Sequence, residues 1–237
     1  MYLPDHFEEV RPEVLWDLVA RHPLGLIITA GPEGPMASPL PFLRGEGEAD
    51  RAVLTAHMAR ANPHAAALTE GLDALVIFQG AQTYVSPGWY PSKAETGRVV
   101  PTWNYEMVQV RGRIGLKPGA DWLAAQVDAL TRAQEDRRPR PWAVSDAPPA
   151  FIASQLRGII GLEIEITEIR GKWKMSQNRP LPDMAGVARG LADPDDPHHN
   201  PAAAARVAER LAQATGPQMD LGREATSRAA KTSNLRV

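Results

Sequence analysis

Apolar and polar positions alternate most cleanly over residues 160–169, where Leu162, Ile164 and Ile166 fall on one side and Glu163, Glu165 and Thr167 on the other. A period of two with one apolar side marks a strand with one buried and one wet face, as in antiparallel sheet. Residues 105–116 repeat the pattern, with Val108, Val110, Ile114 and Leu116 against Gln109, Arg111 and Arg113. Shorter apolar runs predict further strands over 24–30, 52–56, 73–79 and 83–86. Residues 36–43 return from the first of these runs through the turn GPEGP. Pro39 and Pro41 lack the N–H that a ladder needs, so this segment belongs at an edge. That leaves its carbonyls and the Ser38 hydroxyl open to a ligand or to water.

Helical spacing recurs at the ends of the chain. Val14, Leu15, Leu18 and Val19 make one face over 10–21, and Pro12 suits the first turn. Leu123, Val127 and Leu130 do the same over 118–131. A short helix is expected over 149–158, with Phe151 and Leu156 as core candidates, and two more over 183–191 and 201–214. Asp183 is placed to cap the first of these two. HMARANP breaks the strand that precedes it, and 63–70 forms a helical turn or two. Residues 133–149 are polar and proline-rich loop. Strands mostly follow strands through short turns, and helices lie at the periphery. The order predicts an α+β fold: an antiparallel sheet of about six or seven strands, closed as a barrel, with flanking helices. Residues 1–214 form that domain, and 215–237 form a basic tail with few large apolar residues, expected to be disordered.

Composition narrows the function. The 237 residues are 43% hydrophobic and 23% charged, with a formal net charge of −2. No global basic field is available for nucleic acid or membrane surface, so any DNA contact falls to the tail or to a patch made by a dimer. The chain has 0 cysteines, which removes disulfides, thiolate metal sites, iron–sulfur clusters and a catalytic thiol. The N-terminus has neither the basic start nor the apolar run of a signal peptide. No apolar stretch reaches the roughly 18 residues of a membrane span. A soluble cytoplasmic protein is expected.

Candidate chemistry gathers in four places. Residues 78–112 hold Trp89, Trp103, Tyr84, Tyr90 and Tyr105 around a loop bearing Lys93 and Arg98, bracketed by Pro87, Pro91 and Pro101. This suits a surface for a flat, anionic ligand as well as it suits core packing. In LTAHMARAN a strand ends, a helix begins near Asn62 and Arg60 stands beside it. With Thr55, these could hold a phosphate, or form an ordinary capped helix with a solvated arginine. GKWKMSQNRP packs Lys172, Trp173, Lys174, Gln177, Asn178 and Arg179 into one connection, able to close over a ligand or to serve as a plain linker. His198 and His199 are adjacent, so their rings diverge on an extended chain, and a structural or solvent role is expected. No HExxH, GxGxxG or phosphate-loop signature occurs, no nucleophile triad can be assembled and no metal site is expected.

Taken together, the segments MYLPDHF, LTAHMARANPH, YVSPGWYPSK, VPTWNYEMVQVRG and KMSQNRP, in this order, resemble the PaiB family of FMN-binding split-barrel proteins, often described as negative transcriptional regulators. The resemblance covers roughly residues 1–213. It implies a split β-barrel that dimerises, with FMN at the dimer interface. By position it implies phosphate-side roles for Arg60 and Asn62, with Thr55, His57, Met58 and Ala59 along the same strand end. Gln79 and Tyr84 would lie near the flavin on neighbouring strands. Trp103 and Asn104 would come from the partner subunit or the opposite wall, and Lys174, Gln177 and Arg179 would close the site. Two functions fit: a transcriptional regulator or flavin-dependent sensor, and a flavin-dependent oxidoreductase using NAD(P)H or another small substrate. In the latter, His57 or Tyr105 could act as acid or base if near the ring.

Overall fold

The computed structural model describes residues 1–31 and 34–215. In chain order the elements are β1 (Glu8–Glu9), α1 (Pro12–Arg21), β2 (Leu24–Gly31), β3 (Gly34–Pro41), β4 (Leu43–Glu46), β5 (Ala52–Ala59), α2 (Pro63–Ala67), β6 (Asp73–Val85), α3 (Ser92–Thr96), β7 (Thr102–Lys117), α4 (Ala120–Glu135), α5 (Pro149–Arg157), β8 (Ile159–Lys174), α6 (Leu181–Ala192) and α7 (Pro201–Thr215). The tail expected to be disordered lies, from 216 onward, outside the described residues, as do residues 32–33 of the first turn.

The strands form one eight-stranded sheet in the order β3-β2-β6-β7-β8-β5-β4, with β1 paired to β8. This is the antiparallel α+β split-barrel arrangement. The hydrogen-bonded path ends at β3 and at β4, so the sheet is open and the expected closure does not occur. β3 is an edge strand, as its prolines predict. It pairs only with β2 on this path, from Leu24 opposite Pro41 to Gly31 opposite Gly34, and Pro35, Pro39 and Pro41 leave it three residues without a donor.

Two strands outrun their sequence signal. β5 continues through His57, Met58 and Ala59, which pair with Gly161, Ile160 and Ile159 of β8, so HMA extends the strand instead of breaking it. β6 is one strand where two were expected. Gly80, Ala81 and Gln82 carry no turn chemistry strong enough to end the strand, which pairs with β2 over Ala74 to Ile77 and runs on to Val85.

The chain divides into two compact units. The larger comprises residues 10–79 and 108–170. Its core holds Phe42 and Phe78, edge to face at 5.7 Å, along with Leu54, Val76, Val108, Val110, Leu162 and Ile164, all essentially inaccessible. Gly25 lies beside both rings: a Cβ there would fall 2.6 Å from the Phe78 ring. α1 buries Leu15, Leu18 and Val19 as its spacing predicts. Phe151 is not core: it is 55% exposed on α5.

His64, 1% exposed, sits in this unit with Nε2 2.9 Å from Thr29 Oγ1 and Nδ1 2.9 Å from Ser38 Oγ. Ser38 is therefore buried against a histidine and is not turned toward a ligand. One ring nitrogen donates and the other accepts, which suits the neutral imidazole, and burial holds its pKa below the usual value of 6.5. Below that pH the unfolded chain takes up a proton that the folded one resists, so stability is full above about pH 6.5 and falls as pH drops. In urea titrations at successive pH values, His64→Gln should show a smaller fall in midpoint between neutral and mildly acidic pH than the parent. Equal falls would remove His64 as a source.

The smaller unit comprises residues 1–9, 80–107 and 171–215. Val85, Tyr90, Met175, Val187, Leu191, Ala203 and Val207 form its apolar centre. α6 and α7 bury one face each. Asp183 does not cap α6. The cap position is Pro180, and Asp183, 2% exposed, accepts from the Ser92 amide at 3.1 Å and the Ser92 hydroxyl at 2.7 Å. Among the described residues no helix is long and apolar enough to cross a membrane.

Candidate functional site

In the larger unit the predicted phosphate-side residues occupy the end of β5. Alternation splits them. Met58 turns inward at 2% exposure and is a packing residue, whereas Thr55, His57 and Ala59 share the opposite face. His57 Nδ1 lies 2.7 Å from Gln126 Oε1 and donates to it. Gln126 is 5% exposed, and its Nε2 is buried without a partner among the described residues.

Arg60 is exposed, and its guanidinium pairs with no carboxylate among the described residues. Its amide donates to Gly158 O at 2.9 Å, which fixes the turn. Asn62 caps α2: its Oδ1 accepts from His64 N at 2.9 Å, and Nδ2 approaches Ser38 Oγ at 3.4 Å. The helix start is thus already capped, and the anion-binding capacity of this turn resides chiefly in the Arg60 side chain. Gln79 is exposed on β6.

This unit also carries a groove of about 360 Å³ that includes Arg51, Arg113, Lys117, Glu70, Glu163 and Glu165. Ion pairs at 2.6 Å (Arg51–Glu165) and 3.0 Å (Lys117–Glu163) cross it, and none of the predicted site residues lines it. It is a solvated sheet face.

In the smaller unit Tyr84 and Trp103 meet edge to face, with centroids 6.3 Å apart and planes at 79°. They line a cleft of about 340 Å³ with Thr83, His198, His199 and Asn200. Trp103 is 54% exposed despite its size, so it is not a core residue. Its backbone is held from β8: Lys174 Nζ donates to Thr102 Oγ1 at 2.6 Å and to Trp103 O. Burial holds the Lys174 ammonium below its usual pKa, and the charges of Arg179 and Lys172 push the same way.

Asn104, fully buried, donates from Nδ2 to Ser176 Oγ at 2.9 Å. Ser176 has φ 64°, a left-handed conformation, so this bond steadies a strained turn. Gln177 is spent on the same turn, with Oε1 accepting from Met175 N at 2.6 Å and Nε2 donating to Trp173 O. Arg179 lies over the Tyr90 ring at 4.9 Å. Tyr90 is 3% exposed, with Arg179 beside its buried hydroxyl. Burial raises its pKa, Arg179 opposes that shift and Asp183 adds to it.

The structure therefore brings together Tyr84 and Trp103, with Lys174 behind the indole backbone. Asn104 and Gln177 are scaffold for the turn after β8. His198 and His199, expected to be structural or solvated, both border the Tyr84–Trp103 cleft. With no further ligand to complete a set, no group of three or more His, Asp or Glu side chains able to hold a metal occurs among the described residues.

These donors fit a flavin in kind. The smaller unit offers exposed aromatic faces for a planar ring and the Lys174 and Arg179 cations. The larger unit offers Arg60, which pairs with no carboxylate among the described residues. Aromatic faces suit a heteroaromatic ring, and charge-assisted donors suit a phosphate.

The sequence model of a family described as a putative FMN-binding domain matches residues 1–168. The Bacillus subtilis protein named protease synthase and sporulation protein PAI 2 is 31% identical over 198 residues, spanning 84% of this chain and 92% of that protein. An uncharacterized protein of Emericella nidulans, AN0679, is 35% identical over 226 residues, spanning 81% of this chain and 90% of that one. Among solved structures, the FAD and heme binding protein from Mycobacterium smegmatis superposes with a TM-score of 0.51 at 20% identity, covering 70% of this chain and 73% of that one; this shows a shared fold.

Proposed function

This chain belongs to the putative FMN-binding domain family, with the PaiB-type split barrels, and on that premise we propose that it binds FMN noncovalently and acts as a flavin-dependent regulator or sensor. The observation that carries the reading within the chain is the Tyr84–Trp103 pair: two aromatic rings beside an open cleft, one of them a half-exposed indole. A Trp left in water forgoes burial that a flat ligand restores. Titration with FMN, followed by flavin fluorescence and the visible flavin band, tests it. A protein that leaves both unchanged does not bind the cofactor.

Arg60 supplies a separable part of the test. As a phosphate-side residue it should contribute a charge-assisted contact, so Arg60→Ala should weaken FMN about tenfold. Riboflavin, which has no phosphate, should bind the variant and the parent alike. Equal losses for both ligands would take Arg60 away from the phosphate.

The regulatory role is tested by mobility shift of promoter DNA at two salt concentrations, since phosphate contacts weaken steeply with salt. No shift at low salt would count against direct DNA binding. We further take the chain to act as a homodimer with its flavin sites at the interface. The large apolar side chains Val100 and Trp103, 64% and 54% exposed, support this. Sedimentation of the flavin-loaded protein reads the mass.

A bound flavin supplies electron and hydride transfer, so a second reading is a flavin-dependent oxidoreductase. The placement of two imidazoles, His198 and His199, on the cleft favours it, because such groups can hold or deliver a proton there. Anaerobic mixing with NADH or NADPH should then bleach the flavin band; an unbleached flavin with both donors excludes a simple pyridine-nucleotide reductase.

A further inference from the structure

The loop between α6 and α7 is fastened at several points. Asp196 uses both carboxylate oxygens: Oδ2 accepts from Trp89 Nε1 at 3.2 Å and Oδ1 from His198 N at 2.8 Å. Its carbonyl accepts from His199 N at 2.9 Å. Asn200 uses its whole carboxamide, with Nδ2 donating to Gln82 O at 3.0 Å and Oδ1 accepting from Ala203 N at 3.0 Å, while its amide donates to Leu191 O at 2.8 Å.

The ties have one geometric result. They set the His198 ring against Tyr84, centroids 4.7 Å apart and planes at 42°. Tyr84 in turn meets Trp103, so an imidazole, a phenol and an indole border one gap, with Thr83 and Asn200 at its side. The gap, about 340 Å³, is at the low end of the roughly 300–1,000 Å³ of small-molecule sites. No lysine or arginine lines it. Its chemistry suits the ring of a ligand, not an anionic tail.

We infer that this loop is a wall of the ring-binding cleft and that His198 is a ring-contacting residue in it, the occupant being a planar heteroaromatic ring. The inference rests on the flavin reading above for the identity of that ring. His198 offers a π face, its ring packed against Tyr84 and its backbone amide held by Asp196.

Riboflavin and FMN, titrated in parallel, test it. His198 is exposed, and its removal should leave the thermal midpoint near that of the parent. His198→Ala should weaken both flavins equally, by about three- to tenfold, the size of an aromatic contact. His198→Phe, which keeps a ring but no nitrogen, should restore most of the affinity. A His198→Ala variant that binds both flavins as the parent does overturns the inference and leaves the flavin reading intact. A loss confined to FMN also overturns it, because His198 would then serve the phosphate. A parent protein that binds neither flavin removes the flavin reading, and this inference falls with it.

Discussion

Gly186→Ala is expected to destabilise the protein by about 3 kcal/mol, the upper range for overpacking a tight interface. On an exposed helix the same change stabilises, by roughly 1 kcal/mol, because alanine is the better helix former. The sign is therefore informative. A Cβ on Gly186 would fall 2.0 Å from Trp89 O, 3.2 Å from Trp89 C and 3.3 Å from Pro91 Cδ. The nearest atom is backbone, so no side chain can swing aside. Either α6 or the turn at Pro87–Trp89 must move. One helical turn later the Trp89 indole lies against Gly190, whose added Cβ would come within 2.5 Å of three ring atoms. The same indole donates to Asp196, which anchors the loop carrying His198. Gly186→Ala should thus lower the urea midpoint and weaken flavin binding together. A variant as stable as the parent would mean that α6 and Trp89 are not in this contact.

That contact shows where sequence reasoning stops. The alternation over 160–169 found β8 correctly, since Leu162 and Ile164 are inaccessible and Ile166 is 8% exposed. Such a period follows from one strand's own residues. Strand length does not, because partners supply it: β5 runs on through His57 to Ala59 only because β8 lies alongside. The same limit applies to single polar residues. From sequence Ser38 looked open to a ligand and Asp183 looked like a helix cap, yet one holds His64 and the other holds Ser92, partners 26 and 91 positions away. Phe151 failed in the opposite direction, as an apolar residue on a short helix whose face is left in solvent.

The candidate site divides in the same way. Tyr84 and Trp103 stood out by residue type, but type alone did not separate them from Tyr90, which lies between two prolines and is buried core. Gln177 and Asn104 carried equally polar signatures but serve the turn around Ser176, whose left-handed backbone no spacing rule announces. His198 and His199 gave no usable signal. Adjacent histidines in a proline-rich loop read as solvated, and what brings them to the cleft is the set of ties through Asp196 and Asn200. Those ties depend on Trp89 and Gln82, 107 and 118 positions distant.

Trp103→Ala is expected to reduce FMN affinity by about thirtyfold, roughly 2 kcal/mol, the range found for tryptophans at binding hot spots. Two features make this larger than the His198 effect. Trp103 is the largest side chain on the cleft, and its 54% exposure is area that a bound ring would cover. Its backbone is also fixed, by Lys174 donating to Trp103 O, so little ordering is needed on binding. Folding should be nearly unaffected, because a half-exposed side chain removes little core, and a matched melting curve is the control. Riboflavin should suffer the same loss as FMN, which assigns the effect to the ring and not to the phosphate. Mass measured in the same samples separates two routes. If Trp103 acts only within its own chain, affinity falls while the sedimenting mass stays constant. If it reaches a flavin held by a second copy, the loss of affinity is accompanied by a weaker dimer. Unchanged affinity with unchanged mass would take Trp103 out of the site, and with it the observation that carries the flavin reading.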